Sequence, residues 1–250
     1  MQKSLKRLRD DGWTVAVHND YRLNGEPHTF WLFTKNGRAV KGEGSTDEEA
    51  LAEIEHRAFG PVAEVLSLGK GQDVRIRVGA ETRSLPIVRL EGKGLSVAVL
   101  DALGDWKLLE EAGRAMARLV PQEAQALLMP DGKAQALLHV VGRETSLPTV
   151  VARKSLKPWA KEPVISASAE SVTTAGTQTL YLDASAGWLR GLKVAFVDDV
   201  VSTGGSLAAA KILISKAGAE YVGAVAMFTE GAKIGSVRAL GHLPVFPDSP

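Results

Sequence analysis

The chain contains no cysteine, so disulfides, thiolate zinc sites and a cysteine nucleophile are all excluded, and the composition suits a reducing compartment. It carries almost no net charge: 30 basic side chains against 29 acidic ones leave +1, which argues against a protein that coats a polyanion. Long apolar runs are missing as well. Nothing approaches the ~20 residues that span a bilayer, so no membrane association is expected. Met1 to Asp10 alternates Lys and Arg with Leu and has no apolar stretch, so it does not read as a signal peptide, and a cytoplasmic location is expected. What remains is 250 residues, 45% apolar and 24% charged, enough to bury a core in one large domain or in a large and a small one.

Residues 1–60 have a pattern of their own. Ser4 to Asp11 reads as a short basic helix, and Trp13, Val15 and Val17 then recur with a period of two, as in a strand. Asn24-Gly25 predicts a tight turn into a strand over His28 to Thr34, and Asn36-Gly37 a second turn into a strand near Arg38 to Lys41. Ser45 or Thr46 then caps a helix that opens on Asp47, Glu48 and Glu49 and turns Leu51, Ile54 and Ala58 inward. This α-β-β-β-α order loosely resembles a double-stranded-RNA-binding domain, a fold that grips phosphates from basic residues at that last helix start. Here those positions are acidic and would repel phosphate. Nucleic acid is therefore not an expected partner, and residues 1–60 read as a small accessory packing or dimerisation module.

From Gly60 onward short apolar runs alternate with glycines and helical stretches, the texture of an α/β sheet. Strands are expected at Leu85 to Leu90, Leu95 to Leu100, Ala126 to Met129, Thr149 to Ala152, Val194 to Val197, Tyr221 to Phe228 and Leu243 to Phe246. Helices are expected from an Asp105 cap to Leu119, from Lys133 to Arg143, and from Ser206 to Lys216 with Gly218 closing the last. Strands separated by helices imply one mostly parallel sheet flanked by helices over 61–250. The Ser/Thr/Ala-rich stretch between Lys154 and Leu192 is long enough to be a lid, with a hairpin near Thr177 to Leu182.

The strongest chemical signal is Val194-Ala195-Phe196-Val197-Asp198-Asp199-Val200-Val201-Ser202-Thr203-Gly204-Gly205-Ser206. A buried strand delivers two adjacent carboxylates to its carboxyl end, and a hydroxyl- and glycine-rich loop then opens a helix. Two glycines let the backbone approach an anion, the amides of 203–206 point at it with the helix dipole, and Thr203 and Ser206 add hydroxyls. No Lys follows the glycines, so a triphosphate cradle is excluded; a monophosphate fits. Asp198 and Asp199 suit paired hydroxyls such as those of a ribose, with Mg2+ alongside.

At these residues the chain resembles the type I phosphoribosyltransferases, whose signature is four apolar residues, two acids and a Thr-Gly-Gly-Ser/Thr loop. The resemblance implies that Asp198 and Asp199 hold the ribose hydroxyls of 5-phosphoribosyl-1-diphosphate (PRPP) and that Ser202 to Ser206 hold its 5-phosphate, Val200 and Val201 lying between. It further implies a diphosphate loop at Asp131-Gly132-Lys133-Ala134, with Lys133 as a point charge, Gly132 absorbing backbone strain and Ala134 standing where a Gly is usual. An ordinary Asp-Gly turn is the other reading there. Arg153-Lys154 resembles the pair found in adenine and xanthine phosphoribosyltransferases and would neutralise departing diphosphate, a solvated basic turn being the alternative. Lys157 and Lys161 read as surface residues, and Ser171, Thr173 and Thr174 as candidate diphosphate contacts on the lid. Phe228 and Glu230 are the candidates for the base site, an acceptor at 230 matching the exocyclic amine of adenine; the other readings are a core role for Phe228 and an exposed turn residue for Glu230. The resemblance thus implies a Mg2+-dependent phosphoribosyltransferase of purine salvage, using PRPP and a nucleobase and forming a homodimer. The rival expectation is a regulator that binds PRPP or a nucleotide without turning it over.

Overall fold

The computed structural model describes residues 8–21, 27–35, 38–44, 63–68, 73–171, 176–232 and 234–247, and the chain divides into two compact units, Met1–Pro61 and Val62–Pro250. In the first unit β1 (Thr14–Tyr21), β2 (Pro27–Lys35) and β3 (Arg38–Gly44) form an antiparallel meander, in register at Val17 with Trp31 and at Leu32 with Lys41. Leu8, Trp13 and Phe33 are buried, and the Trp13 indole N–H donates to the Asp11 carboxylate at 3.0 Å. The two Asn-Gly turns, most of the basic helix before Leu8, and the helix expected from Asp47 to Ala58 lie outside the described residues.

The second unit opens with β4 (Ala63–Leu68), β5 (Asp73–Val78), β6 (Glu81–Leu90) and β7 (Leu95–Ala98). Next come α1 (Trp106–Ala117), β8 (Ala126–Pro130), α2 (Gln135–Thr145) and β9 (Thr149–Ala152). A hairpin of β10 (Ile165–Ser171) and β11 (Gly176–Leu182) and a 3-10 turn at Ala184–Leu189 follow. The remainder is β12 (Lys193–Val201), α3 (Gly205–Lys216), β13 (Glu220–Glu230), β14 (Val237–Leu243) and β15 (Val245–Pro247). No helix among the described residues is long and apolar enough to cross a membrane.

Five strands form a fully parallel sheet in the order β14-β13-β12-β8-β9. Side chains alternate across it. Leu127, Met129, Ala195, Val197, Val225 and Met227 pack against Leu108, Leu109, Ala112 and Met116 of α1 and Leu137, Leu138 and Val141 of α2. Ala126, Leu128, Val194, Phe196, Ala224 and Ala226 face Leu207, Ala210, Leu213 and Ile214 of α3 on the other side. Both faces are dry, which is why these strands read as continuous apolar runs; each buried Leu, Ile or Phe contributes about 1.5–3 kcal/mol. Asp105 caps α1, accepting from the Leu108 amide at 3.3 Å, and is gripped by Arg83 through Nε at 2.5 Å and a second guanidinium nitrogen at 2.8 Å. Arg83 above all holds the Asp105 carboxyl below its ordinary range.

Two expectations are corrected. The strands at 85–100 do not join the parallel sheet: β4 to β7 and β15 make a separate antiparallel sheet in the order β15-β7-β6-β5-β4, because a short turn through Gly92 (φ 73°) and Gly94 (φ 64°) can only return the chain antiparallel. The stretch 243–246 splits likewise, β14 ending the parallel sheet at Leu243 and β15 pairing with β7 from Val245. The region expected as a lid contains the β10–β11 hairpin, whose Ala167, Leu180 and Leu182 share the core of α3.

Candidate functional site

The polypeptide leaves β8 for β9 in one direction across the sheet and leaves β12 for β13 in the other, so the strand order reverses between the neighbours β8 and β12. In open parallel sheets the crevice outside the carboxyl ends at such a reversal is where ligands bind. Phe196 pairs with Leu128, and Pro130 with Ala152, so the ends of β12, β8 and β9 come level. Asp198 and Asp199, the 131–134 loop, Arg153-Lys154 and, across β13, Glu230 therefore share one edge of the sheet.

Asp198 is 9% exposed and Asp199 half-buried. The Asp199 amide donates to Asp198 Oδ1 at 3.0 Å and the Val200 amide to Asp199 Oδ1 at 2.7 Å. Burial first, then the adjacent Asp199 charge, push the Asp198 carboxyl well above the usual range, while Lys154 works in the opposite sense. Hydroxyl donors or a cation placed against this pair would compensate the charge that burial and proximity disfavour at Asp198.

The loop turns on Gly204, which has φ 80° and ψ 8°, a left-handed conformation, and whose carbonyl accepts the first helical bond from Ala208 at 2.8 Å. The residue at the N-cap of α3 is Gly204, which has no side chain to cap the helix start. Glu230 is 5% exposed; burial raises its carboxyl, while the nearby Ser202 works in the opposite sense. Glu230 is thus a buried neighbour of the loop. The Phe228 ring is fully buried against Gly241, so in this fold it is a core residue. Thr229 Oγ1 and His242 Nδ1 lie 3.0 Å apart beside it.

In the loop after β8, the Asp131 amide donates to the Ala152 carbonyl at 2.7 Å and Gln135 bonds the Asp131 carboxylate. Lys133 reaches Asp101 at 3.4 Å, both side chains more than half exposed. Gly132 does not take a positive φ. Ala134 is fully buried in the core at the start of α2, where its methyl packs. The two cations after β9 diverge. Lys154 acts on Asp198, whereas Arg153, whose backbone pairs with Tyr181 at 2.9 and 2.8 Å, adds to the hydrogen bonds from Ser185 and Lys161 that lower the Asp183 carboxyl. Sequence reasoning missed a cleft of about 260 Å³ on that outer side, lined by Arg153, Lys157, Tyr181, Asp183 and Trp188. Ser171 ends β10, and Thr173 and Thr174 lie outside the described residues.

A solved adenine phosphoribosyltransferase from Thermoanaerobacter pseudethanolicus superposes with a TM-score of 0.53 over 63% of this chain and 95% of that one, at 19% identity. The fold is that of the adenine phosphoribosyltransferases. The Giardia lamblia enzyme complexed with 9-deazaadenine gives 0.50 over 63% and 93%, at 18% identity. In sequence, adenine phosphoribosyltransferases of Mycobacterium avium and Mycolicibacterium vanbaalenii are 43% and 46% identical over 70 residues, 28% of this chain. That match spans only 38% and 40% of those two proteins. No family model matches the chain.

Proposed function

We propose that the protein transfers the 5-phosphoribosyl group of PRPP to a purine base, adenine first, and releases diphosphate. The observation that carries this reading is the buried acid pair Asp198-Asp199 running straight into a glycine-hinged helix start at the reversal of a parallel sheet. Adenine is favoured because the curated relatives are named adenine phosphoribosyltransferases and the Giardia lamblia neighbour is complexed with 9-deazaadenine.

In the reaction the bond from ribose C1 to diphosphate breaks, a ring nitrogen of the base bonds to C1, and the proton of that nitrogen leaves to solvent. Amides and hydroxyls of Ser202 to Ser206 bind the 5-phosphate and fix the sugar's position. Asp198 and Asp199 accept from the ribose hydroxyls and favour positive charge as it develops at the ribosyl centre. Lys133, released from Asp101, and Lys154 compensate the charge of departing diphosphate, with Arg153 on the outer side of the same turn. Among the described residues no three acidic or histidine side chains cluster, so Mg2+ fits as an ion taking at most the carboxylates of Asp198 and Asp199, completing its oxygen shell from substrate and water. Bound there, the ion supplies charge compensation for diphosphate. The protein acts as a cytoplasmic homodimer in purine salvage, with residues 1–60 as an accessory module.

The test is diphosphate release from PRPP and Mg2+ with adenine, hypoxanthine, guanine and xanthine in turn. Release with adenine well above the others, lost in the Asp198→Asn/Asp199→Asn variant with its fold retained, is the expected result. PRPP binding without release for every base would overturn transfer in favour of a sensor.

A further inference from the structure

Asp101 has no part in the transfer chemistry, yet its side chain reaches the diphosphate loop. It stands on the connection between β7 and α1, where Leu100 is 8% exposed and Ala102 fully buried, so the backbone on both sides of it is fixed in the core. The turn that follows is closed by the Asp105 amide, which donates to the Ala102 carbonyl at 3.1 Å, with Gly104 at φ 79°. The carboxylate is aimed as well as anchored: Oδ1 accepts from the Leu103 amide at 3.3 Å. The other oxygen, Oδ2, stands 3.4 Å from Lys133 Nζ. The backbone of Lys133 is held in its turn, since Ala134 beside it is fully buried and Gln135 bonds the Asp131 carboxylate across it.

Both side chains are more than half exposed, and an ion pair of that kind adds little to stability because water and salt screen it. Its place matters more than its strength. The cation it occupies is the one the loop offers to diphosphate, and one ammonium cannot serve a carboxylate and a phosphate together without bringing two anions close. We infer that Asp101 is a positioning residue that holds Lys133 beside the β7–α1 turn and competes with diphosphate for it, so that the leaving group is bound less tightly and released sooner. The inference rests on the reading of 131–134 as the diphosphate loop. When diphosphate binds, Lys133 Nζ turns from Asp101 Oδ2 to phosphate oxygens. When diphosphate leaves, Asp101 takes the ammonium back, and no proton changes place. A transferase whose product carries several negative charges gains from such a competitor, because product release sets many turnover rates.

The probe is inorganic diphosphate with Mg2+, titrated calorimetrically into the full chain, with ribose 5-phosphate as the control ligand. Asp101→Asn keeps an oxygen for the Leu103 amide and removes the charge; it should tighten diphosphate binding about two- to fivefold, the scale of an exposed ion pair. Lys133→Ala should weaken it by about tenfold or more. Adding Asp101→Asn to Lys133→Ala should change nothing further, since the carboxylate acts only through that ammonium. Ribose 5-phosphate affinity should be the same in wild type and all three variants. In diphosphate release with adenine, Asp101→Asn should lower the KM for PRPP by a similar factor without raising kcat. A merely structural Asp101 would leave binding weaker on its removal, not tighter. No gain for Asp101→Asn, a gain that persists without Lys133, an equal gain for ribose 5-phosphate, or a raised kcat would overturn the inference alone. A wild type that binds no diphosphate, or a Lys133→Ala variant that binds it as well as wild type, would overturn the diphosphate-loop reading and the inference with it.

Discussion

Replacing Gly204 by Ala tests the backbone device on which the proposed phosphate binding depends. At φ 80° an L-residue carries about 1–2 kcal/mol of steric cost, because its Cβ crowds the following carbonyl. The added Cβ would lie 2.9 Å from Ile234 Cδ1, the tip of a flexible side chain that can swing away, so the backbone cost dominates. For a unit of this size each kcal/mol lowers the midpoint by roughly 2–4 °C, giving a fall of about 2–8 °C in a thermal melt. The loop can escape that cost by relaxing toward negative φ, but it then turns the first α3 amides off the anion. Losing one charge-assisted hydrogen bond, about 1.5–3 kcal/mol, should weaken ribose 5-phosphate binding by roughly 10- to 150-fold. Asn tolerates the left-handed region better than Ala, so Gly204→Asn should fall between the two in both assays. Native affinity and an unshifted midpoint for Gly204→Ala would refute the claim that this conformation matters.

Two further outcomes follow from burial and close approach. Because the folded pKa of Asp198 is raised, its stabilising neutral form is fully present below the unfolded value near 4 and is lost as pH rises through the folded value; Asp198→Asn should therefore be more stable than wild type at pH 8 and equal to it near pH 3, read by urea unfolding, while losing PRPP-dependent activity. A Cβ on Gly113 would stand 2.5 Å from Val140 Cγ1 where α1 meets α2, so Gly113→Ala should cost about 1–2 kcal/mol, the ~1–3 kcal/mol of overpacking less part of its gain in helix propensity. Adding Val140→Ala should recover most of that loss; simple additivity in the cycle would show that the contact is not limiting.

The elements most legible in the sequence were those specified by short stretches. Val194 to Val197 is buried on both sides and reads as strand without help, and Asp105 announces α1 because a capping carboxylate needs only the amide three residues on. β5 was equally available, since Val74, Ile76 and Val78 alternate with Arg75 and Arg77; β4 was not, its pairing slipping between Val65 and Ser67. The short turn through Gly92 and Gly94 marks the β6–β7 hairpin locally, whereas the pairing of Val97 on β7 with Val245 on β15 joins residues about 150 positions apart. The site divides in the same way. Asp198 to Ser206 is contiguous and its chemistry is written in order, whereas the placing of Glu230 at the same edge depends on β12 and β13 coming level at Val201 and Thr229. Arg153 and Lys154 look like one doubly charged unit on paper, but neighbouring residues on extended backbone face opposite ways, and their charges act on different carboxyls.

The handover between Leu243 and Val245 bears on assembly. β7 receives its outer partner only when β15 arrives, so Val97 stays an open edge throughout synthesis of the whole parallel-sheet region that intervenes. A pairing of such long sequence separation forms slowly. Folding of the accessory sheet is thereby tied to completion of the site-bearing one, and a ribosome-bound chain stopped short of Val245 would present that unpaired edge to chaperones or to its neighbours.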